Sequence, residues 1–429
     1  MKLYSKKASY LLLIILFLAG IIFLVINLFD TQANKIKYKD KISNKIFRIF
    51  ISLPDTIKSS LMIISGKRSF NNLFNDYNIK FLPDTENLKL NFKKISTSFN
   101  KSETTTFFIE LFEDYLILVT KSGEFYLENM NEVAQNKIKK IKNKIIVKNL
   151  ITANRPVAIN DILVVNKKIY ILNVVKDKEC NKLKIYVADF DEILDFSLFK
   201  EFDECVGFGL VGGGMQEFYL NNNKGILVST ASSNNNILTS EAQNDQSILG
   251  KILFVNSSNK EVTVISKGHR NPQGLAVQED IILSTEHGPK GGDEINKIVF
   301  GSNYGWPISS YGKSYTNDKN INFIQNHEKS GFKEPLYVFL SAVGISELIF
   351  LPNTFHEEWQ DNTIVSSLNG RSLFRIKFKS KKYENIIFKE KIFIGERIRD
   401  LKYFDKFKMI ILALEDTGIV GILTLNKVD

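Results

Sequence analysis

From about residue 105 to the C-terminus, short apolar runs alternate with turn residues, and no long amphipathic helix pattern interrupts them. Runs at 107–112, 115–120, 123–127, 162–165, 168–174 and 183–188 are rich in Ile, Leu, Val, Phe and Tyr and read as strands. Lys121-Ser122-Gly123 and Asn166-Lys167 are the turns between neighbours. Later strands are expected in pairs: 225–230 with 250–255, 262–266 with 281–284, and 348–351 with 363–367. The last are 373–378, 392–394, 409–414 and 420–425. Many short strands at roughly even spacing imply a sandwich, a barrel or a propeller. A tract of about 320 residues is too long for a sandwich, and at roughly 45–55 residues per four-stranded blade it divides into six blades. The pattern therefore predicts an all-β fold, a six-bladed β-propeller over 105–429.

The N-terminal end reads differently. Residues 10–29, YLLLIILFLAGIIFLVINLF, carry no charge and follow Lys2, Lys6 and Lys7. As a helix they span about 30 Å, the thickness of a bilayer's hydrocarbon core. A cleaved signal peptide is the rival, but its apolar stretch is usually shorter. Residues 1–30 are therefore expected to be one N-terminal transmembrane helix that anchors the chain. Residues 31–104 read as a mixed, polar connector in which Pro54 breaks an irregular apolar pattern at 46–62.

Charge and cysteines narrow the classes. The formal net charge is +10 over 429 residues, but residues 1–50 alone hold nine Lys or Arg against Asp30 and Asp40. That leaves only +3 for the remainder, and the excess beside the apolar segment suits anionic lipid headgroups. No basic stripe with interleaved aromatics occurs in the strand-rich tract, which excludes a nucleic-acid partner. The two cysteines, Cys180 and Cys205, sit in no CxxC or Cys/His cluster, so zinc is not expected. They form either one disulfide or two separate buried thiols.

The densest chemistry lies in 268–307. Gly288-Pro289 and Gly291-Gly292 form a loop whose carbonyls can turn inward, with Asp293 and Glu294 beside it. Carbonyls and carboxylates are the oxygen ligands that Ca²⁺ prefers. Arg270 and Asn271 precede Pro272, which holds the backbone extended, and both side chains can grip a carboxylate or quinone oxygen. The bland alternative is a propeller loop closed by a structural ion pair.

These segments resemble a family. GHRNPQGLA at 268–276, EHGPKGGDEIN at 286–296 and NYGWP at 303–307 are similar to motifs of the soluble pyrroloquinoline-quinone (PQQ) glucose and aldose sugar dehydrogenases. SAVGISEL at 341–348 resembles the family's S-I-A-P-S-G-L, and SSLNGRSL at 366–373 its segment with G-A-L-x-G-x-x-L. GERIRD at 395–400 matches G-E-R-I-R-D outright. The likeness is strong over 245–425, weak over 105–245, and does not reach 1–100. It implies a six-bladed propeller with PQQ across the channel, gripped by Arg270, Asn271, Arg397 and Arg399. It also implies a catalytic Ca²⁺ on the carbonyls of Gly288 and Pro289, and a structural calcium site near Asp293, Glu294 and Tyr304. Simple packing is an equal reading of Tyr304 and Trp306.

The chain departs from the family at the general base. The family's histidine precedes a G-G-R-L run, and the matching stretch here, Leu210 to Gln216, puts Val211 in its place. None of the four histidines, at 269, 287, 327 and 356, lies near it in sequence. Glu217 or Asp203 is the alternative base if the weak half is aligned otherwise. The glutamine of an early Gln-x-Gly-Leu-Leu-Asp run is also missing from 156–161, and a PQQ-contacting lysine is matched by Asn369. The resemblance thus implies a PQQ- and calcium-dependent enzyme that oxidises a sugar at C1, with turnover impaired by the loss at Val211. Its domain would face the periplasm or outside and pass electrons to a membrane acceptor. The rivals are a non-catalytic calcium-binding propeller that holds a ligand, and a structural propeller that presents loops to a partner.

Overall fold

The computed structural model describes residues 83 and 85–426, except 151–157, 177–179, 208–210, 233–239 and 315–322. The transmembrane helix expected at 1–30 lies outside the described residues. Among the described residues no helix is long and apolar enough to cross a membrane.

Six antiparallel sheets follow one another along the chain. The first blade has three strands, Phe107–Phe112, Tyr115–Thr120 and Phe125–Asn129. The second runs Ala158–Val165, Lys168–Lys176, Asn181–Asp189 and Ser197–Val206. The third is Met215–Leu220, Asn223–Ser229, Lys251–Asn256 and Val262–Lys267. The fourth is Pro272–Gln278, Ile281–Glu286, Asp293–Ile298 and Tyr337–Phe339. The fifth is Ile345–Phe350, Asn362–Ser367, Ser372–Phe378 and Ile386–Phe393. The sixth opens with Ile398–Phe404, Met409–Leu414 and Ile419–Leu425. Its fourth strand, with the short Lys140–Ile141 paired in parallel on its far side, comes from the other end of the chain: Leu90–Thr97 pairs with Ile419–Leu425, Leu90 opposite Leu425. This clasp falls in the stretch expected as connector, so the last blade is built from both ends of the propeller.

The first strand of each blade touches its counterparts in the two adjoining blades, and the ring closes from the sixth to the first. The fold is the expected all-β six-bladed propeller. The second strand of each blade is covered on both faces, which is why several of them, such as Tyr115–Thr120, Lys168–Lys176 and Met409–Leu414, read as near-unbroken apolar runs rather than alternating ones. Met409–Leu414 is buried at every position. Between the second and third blades, Leu172, Val174, Leu183 and Ile185 pack on Val228, Leu253 and Val255.

Polar staples join the inner strands. Asp161 Oδ2 accepts from the Met215 amide at 2.6 Å, and Asp400 Oδ2 from the Ile109 amide at 2.7 Å. Ser229 donates to the Pro272 carbonyl at 3.1 Å and Ser346 to the Ile398 carbonyl at 2.6 Å. Thr285 donates to the Ser346 carbonyl. Each links one blade to the next, so the crowded axis is held by hydrogen bonds where side chains are too constrained to fill it with hydrocarbon.

The cysteines are paired. Cys180 and Cys205 form a disulfide across the outer half of the second blade, with Cα atoms 5.7 Å apart. This cross-link closes a loop with a sequence separation of 25. Reduction is expected to lower unfolding stability by about 3 kcal/mol. Denaturant melts with and without reductant measure this, and a Cys180→Ser/Cys205→Ser double variant should match the reduced protein.

Candidate active site

A cavity of about 230 Å³ opens at the ends of the inner strands where those strands begin. Its rim carries Lys121, Asn160, Val211, Gln273 and Arg399, and its floor Asp161, Glu347 and Asp400. Register shifts interrupt the inner strands at Ile159/Asp161, Pro272/Gly274, Ile345/Leu348 and Ile398/Asp400. An extra residue at such a bulge re-aims the side chains on either side. Residues from all six blades thereby face one space.

The predicted arginines meet beside this cavity. Arg397 and Arg399 bracket Glu415, with nitrogen–oxygen distances of 3.2 and 2.5 Å. Burial alone would push the Glu415 carboxyl up, but the two guanidiniums hold it net below the usual range. Arg399 Nη1 lies 3.4 Å from Gln273 Oε1, and Gln273 Nε2 donates to Asn271 Oδ1 at 3.1 Å. Arg270 Nη1 donates to the His287 carbonyl at 2.9 Å, and its guanidinium lies 5.4 Å from the Trp306 ring centre. The His287 imidazole reports the joint field. Burial, then Arg399, Arg270 and Arg397, push its pKa down to about 3, so it is neutral. Arg270, Asn271, Arg397 and Arg399 are thus brought together as the sequence suggested. Lys121 joins them, its pKa lowered by burial and by Arg399. Its sequence marks it only as a turn residue, because nothing local shows it facing the axis.

The predicted calcium ligands are arranged otherwise. Asp293 Oδ2 accepts from the amides of Val343 at 2.9 Å, Gly344 at 2.7 Å and Ile345 at 3.3 Å, and Oδ1 from that of Gly288 at 3.1 Å. Its carboxylate ties the 288–293 loop to the next blade, which leaves little capacity for a cation. The Tyr304 hydroxyl donates to the Lys297 carbonyl at 2.5 Å and accepts from the Val299 amide at 3.0 Å, and its ring stacks on His269. Packing accounts for Tyr304. Glu294 is buried beside a space of about 10 Å³ shared with Glu286 and His327, and burial with the Glu286 charge raises its pKa. Among the described residues no group of three or more His, Cys, Asp or Glu is placed to hold a metal. These side chains do not fit a metal centre. The backbone of the loop does suit a hard cation: a Cβ at Gly288 would collide with the carbonyl oxygens of Gly291 and Gly292, so oxygens crowd there.

Val211 is buried in the apolar cluster between the second and third blades and lines the cavity, so no titratable group stands there. Neither alternative base reaches the rim. Glu217 lines the opposite mouth of the channel and pairs with Lys224 at 2.5 Å. Asp203 lies in an irregular stretch of Ser197–Val206, at the outer edge of its blade. Asn369 is exposed and donates to the Ala342 carbonyl at 2.9 Å.

A model of the Glucose / Sorbosone dehydrogenase family matches residues 166–420. An uncharacterised protein of Synechocystis is 32% identical over 193 residues, 42% of this chain and 46% of that one. The aldose sugar dehydrogenase of Escherichia coli is 28% identical over 169 residues, 38% of this chain and 44% of that one. The matches span less than half the length of these relatives. The solved PQQ-bound form of an aldose sugar dehydrogenase from Streptomyces coelicolor superposes with a TM-score of 0.55 at 16% identity, covering 79% of this chain and 99% of that one.

The four amide bonds to Asp293 predict that Asp293→Ala destabilises the protein in calcium-free buffer by about 2–3 kcal/mol, since buried donors lose a charged acceptor. Urea titrations of the two proteins check it. An effect seen only with calcium present would mean that the carboxylate is a metal ligand after all.

Proposed function

Because the chain belongs to the Glucose / Sorbosone dehydrogenase family, we propose that its propeller is an aldose sugar dehydrogenase that takes PQQ as its cofactor. The observation that carries this reading is the convergence of Arg270, Arg397 and Arg399 around His287, with Arg399 and Lys121 also lining a 230 Å³ cavity. Glu415 neutralises only part of that charge. A small, rigid polycarboxylate is the ligand such a rim suits, because charge-assisted hydrogen bonds from arginine are strong and directional. When bound, PQQ supplies a two-electron acceptor for a hydride from the sugar's C1.

The remaining tasks fall to the chain. Arg397 and Arg399 are held apart by Glu415 and so present their outer N–H groups in a fixed arrangement. Asn271 and Gln273 form a hydrogen-bonded bridge between the Arg270 and Arg399 sides, which orients whatever lies across the rim. Burial of the floor keeps water from competing at the reacting carbon. Calcium enters this reading through the carbonyls of Gly288 and Pro289, where it would act as a Lewis acid. A second reading, a propeller that binds the cofactor without turnover, is favoured by Val211, which has no proton to take or give.

We place the propeller outside the cytoplasm on a membrane anchor at 10–29, close to a membrane electron acceptor. The uncharged run supports the anchor, and the Cys180–Cys205 bridge supports an oxidising compartment.

PQQ should raise the melting temperature of the apo-protein by mass action, and millimolar calcium should add to the rise. Arg399→Ala is expected to weaken PQQ binding by at least about tenfold, the loss of one charge-assisted contact, and Lys121→Ala to weaken it less. Fluorescence quenching measures both, and a wild-type protein that ignores PQQ would end this reading. Alkaline phosphatase fused after residue 429 should be active; an intact but inactive fusion would reverse the orientation.

A further inference from the structure

The inner strands place one residue from each blade in one layer of the channel, Phe108, Asp161, Gly214, Gly274, Glu347 and Asp400, and Phe108, Asp161, Glu347 and Asp400 of these line the cavity. The staples define the layer, because Asp161 reaches the amide after Gly214 and Asp400 the amide after Phe108. Two blades thus place glycine where three others place a carboxylate.

The three carboxylates are not equivalent. Asp161 uses both oxygens on backbone amides, Ile162 at 2.8 Å and Met215 at 2.6 Å. Asp400 does the same with Leu401 and Ile109, each at 2.7 Å. Glu347 accepts through Oε1 from the Leu348 amide at 2.9 Å. That oxygen lies where a Cβ at Gly274 would be, so the neighbouring blade's glycine makes room for it. Glu347 Oε2 accepts no hydrogen bond from any described residue, although the residue is only 9% exposed. A mostly buried residue thus presents a carboxylate oxygen with spare capacity to the same cavity that Val211 and Arg399 line.

We propose that Glu347 is the catalytic residue that accepts the hydroxyl proton of the sugar being oxidised, a role for which Val211 has no chemistry. This rests on the reading of the cavity as the sugar site. With PQQ held at the rim as the two-electron acceptor, the C1–H electron pair would leave as hydride to it, the hydroxyl proton would pass to Glu347 Oε2, and the oxygen electrons left behind would close the C=O bond of the product. Glu347 then returns the proton to solvent when product leaves.

The surroundings suit a base. Burial raises the Glu347 pKa well above the glutamate range; Asp400 and Asp161 add to the rise and Lys402 opposes it. Asp400 itself is pushed up to about 6 by burial. One level lower, Lys402 pairs with Glu110 at 3.0 Å and faces the whole carboxylate group. Arg399 and Lys121 are the charged groups on the rim side. A proton acceptor works best when its pKa approaches the working pH. Only the ionised form accepts a proton, so turnover should fall as pH drops through the raised pKa.

The test uses the full chain loaded with PQQ and calcium, with dye-linked turnover of several aldoses measured across pH. PQQ affinity is measured separately by tryptophan quenching. Glu347→Gln keeps the shape and removes the base. It should leave PQQ affinity within about twofold, lower turnover by about 10²–10⁴-fold and abolish the acid limb. Glu347→Asp should recover part of the rate with a shifted limb. A readout independent of turnover is melting against pH. A raised folded-state pKa gives stability that is present at low pH and lost as pH rises through that pKa, so Glu347→Gln should gain on wild type as pH rises. Wild-type rate and pH profile in Glu347→Gln would overturn the proposal, as would a wild type that binds PQQ but turns over no sugar. Failure of both proteins to bind PQQ would instead remove the cofactor reading, and the role of Glu347 with it.

Discussion

Each blade has two apolar faces and can bury them only against two neighbours. Six such sheets satisfy one another only when the ring closes. The rest of the structure follows from that closure. The middle strands can be wholly apolar, as Met409–Leu414 is, because they never meet water on either side. The ring must also be locked, and Leu90–Thr97 does this by adding the chain's early strand to its last blade, so that opening the ring would break a full strand pairing.

Closure also dictates what the axis can hold. Six inner strands begin around one narrow channel, where amides must find partners and side chains have little room. The chain answers with glycine, with hydroxyls and carboxylates that reach the next blade, and with Lys402 amid the carboxylates. The result is a division of charge along the axis, with a cationic rim of arginines and Lys121 above an anionic floor. An anionic ligand at the rim and an uncharged polyol nearer the floor would each meet complementary groups. The same polar staples that hold the blades together shape this space, so fold and site draw on one set of residues.

The strands that local patterning located are mostly the middle ones, because burial on both faces leaves an uninterrupted apolar run. Inner strands such as Met215–Leu220, Pro272–Gln278 and Ile398–Phe404 were missed as strands. At or beside their starts stand Gly214, Pro272 and Arg399, residues that look like loop chemistry, and Gln273 and Arg399 from them line the cavity. The motifs at 268–276 and 395–400 therefore revealed site residues in strands whose strand character was hidden. Asp293 has a role that its local sequence did not reveal. A carboxylate next to a glycine loop reads as a cation ligand, yet a loop that must turn twice has its own amides to satisfy, and Asp293 is spent on them.

The sequence by itself determined the all-β class and, through strand spacing and the family resemblance together, the six blades, because apolar runs and compact motifs are local properties of the chain. It could not decide whether Cys180 and Cys205 pair, since spacing says nothing of Cα separation. Nor could it show that Lys121 belongs with Arg399, or that Glu347 and Val211 share a cavity, because those residues come from different blades and meet only around the axis. The environment of each carboxylate was equally out of reach. Asp161, Glu347 and Asp400 occupy equivalent strand positions, and what separates them is which amides and which neighbouring glycine the closed ring brings within reach.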